Sequence, residues 1–219
     1  MSGEKPILFS TPMVRATLDG RKTQTRRVIK PQPHSVPDGA YVDMYNKNPE
    51  HFTVWTRDHR MCLGCGGSIK GAAHWKPRYF PEDVLYVRET WAFDTGDDDG
   101  YGIGSFVYRA NNGEEAPCGR WRPSIHMPRE AARIFLRVTD VRAERVQDIT
   151  VEDCIAEGMD CNSDINNPDP LTHENIKSWN HAHAQFLYQE LWDALHAKRG
   201  FGWVKNPWVF VYEFEVVEG

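Results

Sequence analysis

Apolar positions alternate with a period of two near the end of the chain. Trp208, Phe210, Tyr212, Phe214 and Val216 fall on one face, and Val209, Val211, Glu213 and Glu215 on the other. This predicts a closing strand with one face buried and the other mixed. A helical period precedes it. Ala184, Leu187, Tyr188, Leu191, Trp192 and Leu195 share one face, and Gly200 closes the helix. Further strands are expected at Thr23 to Ile29, ended by Pro31 and Pro33, and at Val84 to Arg88, Phe106 to Arg109 and Ile134 to Val141. Thr11-Pro12 reads as an N-cap with proline at the first helical position, opening a short helix from Met13 to Asp19 that stops at Gly20. Thr150 and Asp153 have capping-box spacing, and the helix they open ends at Gly158. Residues 34 to about 80 lack periodicity and read as an irregular insertion, and 160 to 176 as a polar loop. The strands are not spaced as βαβ units. The expected fold is therefore α+β: one domain over 1–219, a small, mostly antiparallel β-barrel with helices packed outside.

Composition narrows the class. The 219 residues carry 40% hydrophobic and 26% charged side chains, an ordinary globular balance. No apolar run approaches the ~20 residues of a membrane helix, and Met-Ser-Gly-Glu-Lys-Pro lacks the apolar core of a signal peptide. A cytoplasmic protein without a membrane partner is expected. Five unevenly spaced cysteines suit reduced thiols or metal ligands better than a disulfide framework. The net charge of −5 argues against a broadly basic nucleic-acid binder. It also hides a segregation. Six basic residues (Arg15, Arg21, Lys22, Arg26, Arg27, Lys30) lie between Pro12 and Lys30 against the single acid Asp19, and seven arginines lie between Arg120 and Arg145. Two solvated surfaces, or one phosphate-facing basic side, would produce this pattern.

Three segments carry candidate chemistry. In Gly20-Arg21-Lys22-Thr23-Gln24-Thr25-Arg26-Arg27 a helix ends and a cation-rich strand begins. A bulge there would bring the Lys22 ammonium to the Thr25 hydroxyl, whereas a regular strand would separate them. Arginines around Lys22 should lower its pKa, and a neutral lysine beside a hydroxyl is one route to an activated nucleophile. A solvated basic strand is the plainer alternative. The second segment is His59-x2-Cys62-x2-Cys65-x8-His74. These four side chains suit a structural, tetrahedral zinc, and free thiols in a loop are the alternative. The third set is mainly aromatic and cationic, with Arg88, Glu89, Trp91, Tyr108, Arg109, Trp121, Arg122 and His126. Base-binding pockets use such faces and guanidinium groups, but eight tryptophans must also supply core.

The pattern Gly-Arg-Lys-Thr-x-Thr-x-Arg after a short helix resembles the signature of the ASCH domain family, which has a PUA-like β-barrel fold. Phe80-Pro81-Glu82-Asp83-Val84, the helix ending Ala156-Glu157-Gly158 and the closing strand resemble further family segments in the same order. Glu82 stands where the family usually has glycine, which is tolerable if that turn needs no positive φ. The long form resembles ASCH-like proteins of phages and prophages, implying a bacterial host cytoplasm. One bacterial branch of the family is an amidohydrolase that deacylates N4-acetylcytidine. The resemblance implies Lys22 as base, Thr25 as nucleophile and Glu157 as acid. Arg21, Arg26, Arg88, Trp91 and Arg122 are then the candidate substrate-binding residues. Other branches imply a non-catalytic module that binds RNA or a modified nucleotide, and a nuclease is a third possibility.

Overall fold

The computed structural model describes residues 4–30, 32, 77–95, 104–116, 119–159 and 181–218, with the backbone also described at 41–44 and 52–55. Nine strands are present among them: β1 (Lys5–Leu8), β2 (Gln24–Val28), β3 (Tyr41–Met44), β4 (Phe52–Trp55), β5 (Val84–Arg88), β6 (Trp91–Asp94), β7 (Ser105–Tyr108), β8 (Phe135–Arg145) and β9 (Trp208–Val217). Four α-helices accompany them: α1 (Thr11–Leu18), α2 (Arg109–Asn112), α3 (Val151–Ala156) and α4 (His181–His196). The protein is α+β with a mostly antiparallel sheet.

The long β8 organises the sheet. It pairs antiparallel with β5, with β9 along nearly its whole length, and with β3 through Val42 and Ala143. Strand β9 carries β2 on its other edge, from Gln24 opposite Glu213 to Val28 opposite Val209. Strand β1 runs parallel to β5, an exception to the antiparallel pattern. Among the described residues β1, β2 and β4 each pair with one neighbour, so the hydrogen-bonded path branches and is not closed. The insertion expected to be irregular contains the hairpin β3–β4. A second hairpin, β6–β7, forms a separate two-stranded sheet.

Strand β9 is buried on both faces. Phe210, Tyr212 and Phe214 join the main core with Ile7, Phe9, Leu85 and Leu136. Val209 and Val211, on the face expected to be mixed, pack against Tyr188 and Trp192 of α4 and Cys154 of α3. Full burial of such apolar side chains stabilises by about 1.5–3 kcal/mol each. Only Ala184, Tyr188 and Trp192 of the α4 stripe are buried, while Leu191 and Leu195 are 40% and 44% exposed. Val216 is exposed as well, because β9 outruns the core at its end. No helix among the described residues is long and apolar enough to cross a membrane.

Caps fix the helices that matter for the site. Both halves of the Thr150–Asp153 capping box are made. Ser10, not Thr11, is the N-cap of α1, and its side chain makes no capping bond. The turn before β5 departs from expectation: Glu82 has φ 70°, so the position does need the left-handed region. Asp83 secures it, accepting from the Phe80 amide at 2.7 Å and from Lys5 Nζ at 2.5 Å. Glu82→Gly is expected to raise stability by up to about 1 kcal/mol, since a side chain in this region costs about 1–2 kcal/mol and glycine returns part of that as chain entropy. An unchanged or lower urea midpoint would show that the turn is unstrained.

Candidate functional site

Two helix stops meet where the basic segment begins. Helix α1 ends at Gly20, with φ 73°, and the Arg21 and Lys22 amides both donate to Ala16 O at 2.9 Å. Helix α3 ends at Glu157 and Gly158, with φ 89° at the glycine. A Cβ added to Gly158 would lie 2.7 Å from Ala16 Cβ and 3.0 Å from Lys22 Cβ. Only glycine allows this approach, which forms an isolated antiparallel bridge between Lys22 and Glu157.

The Lys22 ammonium donates to Gln24 O, Glu157 O and Glu157 Oε2, each at 2.8 Å. All three of its N–H groups are used. Burial pulls its pKa down against the opposing pull of Glu157, and Arg27 and Arg26 act in the same direction as burial. Burial works against the Glu157 charge, but the Lys22 and Arg26 charges prevail and hold its carboxyl below the usual carboxylate range. Arg26 Nη1 reaches Glu157 Oε1 at 3.2 Å, and its Nη2 reaches Glu144 at 2.6 Å and Asp153 at 2.9 Å. Arg142 extends the network to Glu144, Asp153 and Glu213. Three cations and four carboxylates thus share one network, and Arg26 is spent inside it. Thr25 points from the other face of β2, since its neighbours Gln24 and Arg26 both face Asp153. Its Oγ1 is buried without a hydrogen-bond partner. Lys22 and Thr25 are each 1% exposed and Glu157 7%. The structure therefore joins Lys22 to Glu157 and closes the group to solvent.

Arg27 sits on the Thr25 face and opens onto a cleft of about 660 Å³. A cavity of about 320 Å³ continues it, sharing Arg27, Lys30, Arg78 and Tyr79. Five cations line the cleft: Arg27, Lys30, Arg78, Arg88 and Arg199. Among the described residues none of the five is ion-paired to a carboxylate, and no acidic residue contributes to the wall. Local contacts hold them without neutralising them. Arg27 Nη2 donates to Leu8 O at 3.0 Å, Arg88 Nη2 to Ile125 O, and Lys30 lies 5.0 Å over the Phe201 ring. Arg88 Nε is buried and unpartnered.

No family model matches the sequence, and no curated protein or solved structure does.

Of the other expected binding residues, Arg21 is tied to Asp19 and to Gly158 O. Trp91 is buried in a small core with Met127 and Ala131, and Arg122 lies over its ring at 5.0 Å. His59, Cys62, Cys65 and His74 lie outside the described residues. Among the described residues no group of three His, Cys, Asp or Glu could hold a metal. Sequence reasoning missed Arg78, Arg199, Tyr79 and Phe201 as cleft residues. The one available signal was the cationic pair Lys198-Arg199 at the close of a helix.

His196 also lines the cleft, its ring 4.1 Å from that of Trp192. Burial lowers its pKa to about 4, and the charges of Arg199, Arg27 and Lys30 act the same way. The unfolded histidine titrates near about 6.5. The stability it contributes is thus complete above that pH and is lost as the pH falls towards about 4. An NMR titration is expected to show a neutral His196 well below pH 6, with a bound phosphate raising its pKa. Ordinary titration near about 6.5 would refute a cleft dominated by positive charge.

Proposed function

We propose that the protein is a PUA-like module that binds a phosphate-bearing nucleotide or RNA in the Arg27 cleft, without turnover. One observation carries this reading: a chain of net charge −5 gathers around one cleft five cations that have no carboxylate partner among the described residues. Holding these charges together is electrostatically costly unless an anion offsets them. Guanidinium groups supply bidentate donors to phosphate. Leu8, Ile125 and Phe201 give the same cleft an apolar wall for a base. The mostly antiparallel sheet with helices against β9, together with the Gly20–Arg27 motif, supports the PUA-like framework. Calorimetric titration with uridine monophosphate tests the reading, with inorganic phosphate alongside it. Binding of neither would end it.

A second reading, an amidohydrolase acting on an N4-acylated cytosine nucleoside, is favoured by the Lys22–Glu157 contact and the unpaired Thr25 hydroxyl. Thr25 Oγ1 would attack the acyl carbonyl, Lys22 would take its proton, and Glu157 would protonate the leaving amine nitrogen. Burial of all three groups weighs against it, because a substrate must first open the site. So does the geometry: Thr25 points from the opposite face of β2, the Lys22 ammonium already donates all three of its N–H groups, and Glu157 is held ionised. Incubation with N4-acetylcytidine is expected to release no acyl group. Release that disappears in Thr25→Ala would establish the hydrolase instead.

A further inference from the structure

We infer that the cleft is one end of a track for a single-stranded polynucleotide, which continues over the ridge Ser124–His126 into a second basic pocket. This rests on nucleotide binding in the cleft. The second pocket, of about 670 Å³, is lined by Phe93, Arg120, Trp121, Arg122 and His126, with no carboxylate among the described residues of its wall. The ridge is a single 3-10 turn. Its Ile125 lines the cleft and the next residue, His126, lines the second pocket, so neighbouring residues of one turn face the two cavities.

The ridge is held from both sides. On the cleft side Arg88 donates to Ile125 O. On the other, Arg122 exchanges two backbone hydrogen bonds with Trp91, of 3.2 Å and 2.7 Å. Ile125 is nevertheless 58% exposed and Phe93 39%. Two cationic pockets with apolar surface between them match a strand whose phosphates repeat along one edge and whose bases splay onto apolar and aromatic surface. A mononucleotide carries charge for one pocket only. A duplex hides the base faces that Ile125 and Phe93 would cover.

The test compares uridine monophosphate with an oligouridylate of about eight nucleotides, a length within the usual range for single-strand sites. Affinity for the oligomer is expected to exceed that for the monomer by at least about tenfold, or about 1.4 kcal/mol. Its salt slope should be steeper by about 0.7 for each added phosphate contact. Arg120→Ala/Arg122→Ala should bring the ratio of the two affinities close to one. Equal affinity of the monomer and the oligomer overturns the track and leaves the cleft reading standing. So does a ratio that survives the double substitution, or tighter binding of a duplex of equal length. If neither ligand binds, both readings fall.

Discussion

Replacing Glu157 by alanine is expected to destabilise the fold by about 3–5 kcal/mol, the usual cost of leaving a buried ion unpaired. The Glu157 carboxylate faces Lys22 at 2.8 Å and Arg26 at 3.2 Å, and both cationic side chains are wholly shielded from solvent. Its removal leaves an ammonium and part of a guanidinium with no counter-charge and no water. A lower urea midpoint with unchanged slope would record the loss. Glu157→Gln should lose less, because the amide oxygen still accepts one hydrogen bond. The pH dependence has a definite sign. Against burial, the Lys22 and Arg26 charges hold the Glu157 carboxyl below its unfolded value, and the Gln24 hydrogen bond with the Arg26 charge does the same for Asp153. Their contribution is therefore complete above about pH 4 and disappears as acid protonates the folded carboxyls. Stability unaltered in Glu157→Ala would mean that the residue serves chemistry rather than the fold.

The other large effect is expected at Arg27. Arg27→Ala should weaken binding of uridine monophosphate by about tenfold or more, since a hydrogen bond to a charged group is worth about 1.5–3 kcal/mol. It should also flatten the salt dependence, because one counterion fewer is released. The pKa of His196 should rise with the loss of a nearby positive charge. Arg21→Ala is the control. Its guanidinium already answers Asp19 and a backbone carbonyl, so nucleotide affinity should stay level. Equal losses in the two variants would indicate a diffuse charge effect in place of a defined cleft.

Much of this architecture can be read in the residues. The period-two pattern locates β9 within a residue or two, and Thr150 with Asp153 marks the start of α3. Buried Val209 and Val211 are harder to anticipate, because what covers that face comes from two helices earlier in the sequence, α3 and α4. Strand β1 was missed because four residues containing a proline carry little pattern, and its parallel partner lies about eighty positions away. The hairpin β3–β4 was obscured by flanks rich in glycine, proline and asparagine. The candidate site divides the same way. Proximity of Lys22 and Glu157, 135 positions apart, came through family resemblance and not through spacing. That the pair is sealed was illegible, since a run of cations looks solvated until carboxylates from α3 and β8 close over it. The cleft is assembled from β1, β2, the approach to β5 and the end of α4. No local motif marks such a place.

The contact at Gly158 has a mechanical consequence. The glycine rests on Ala16, Thr23 N–H donates to Ala156 O at 2.8 Å, and Lys22 is pinned to Glu157. The C-terminal ends of α1 and α3 and the entry to β2 are thereby one latch, which opens as a whole or not at all. Arg27 lies in β2 four residues past Thr23, so loosening of the latch would be passed along that strand to the cleft.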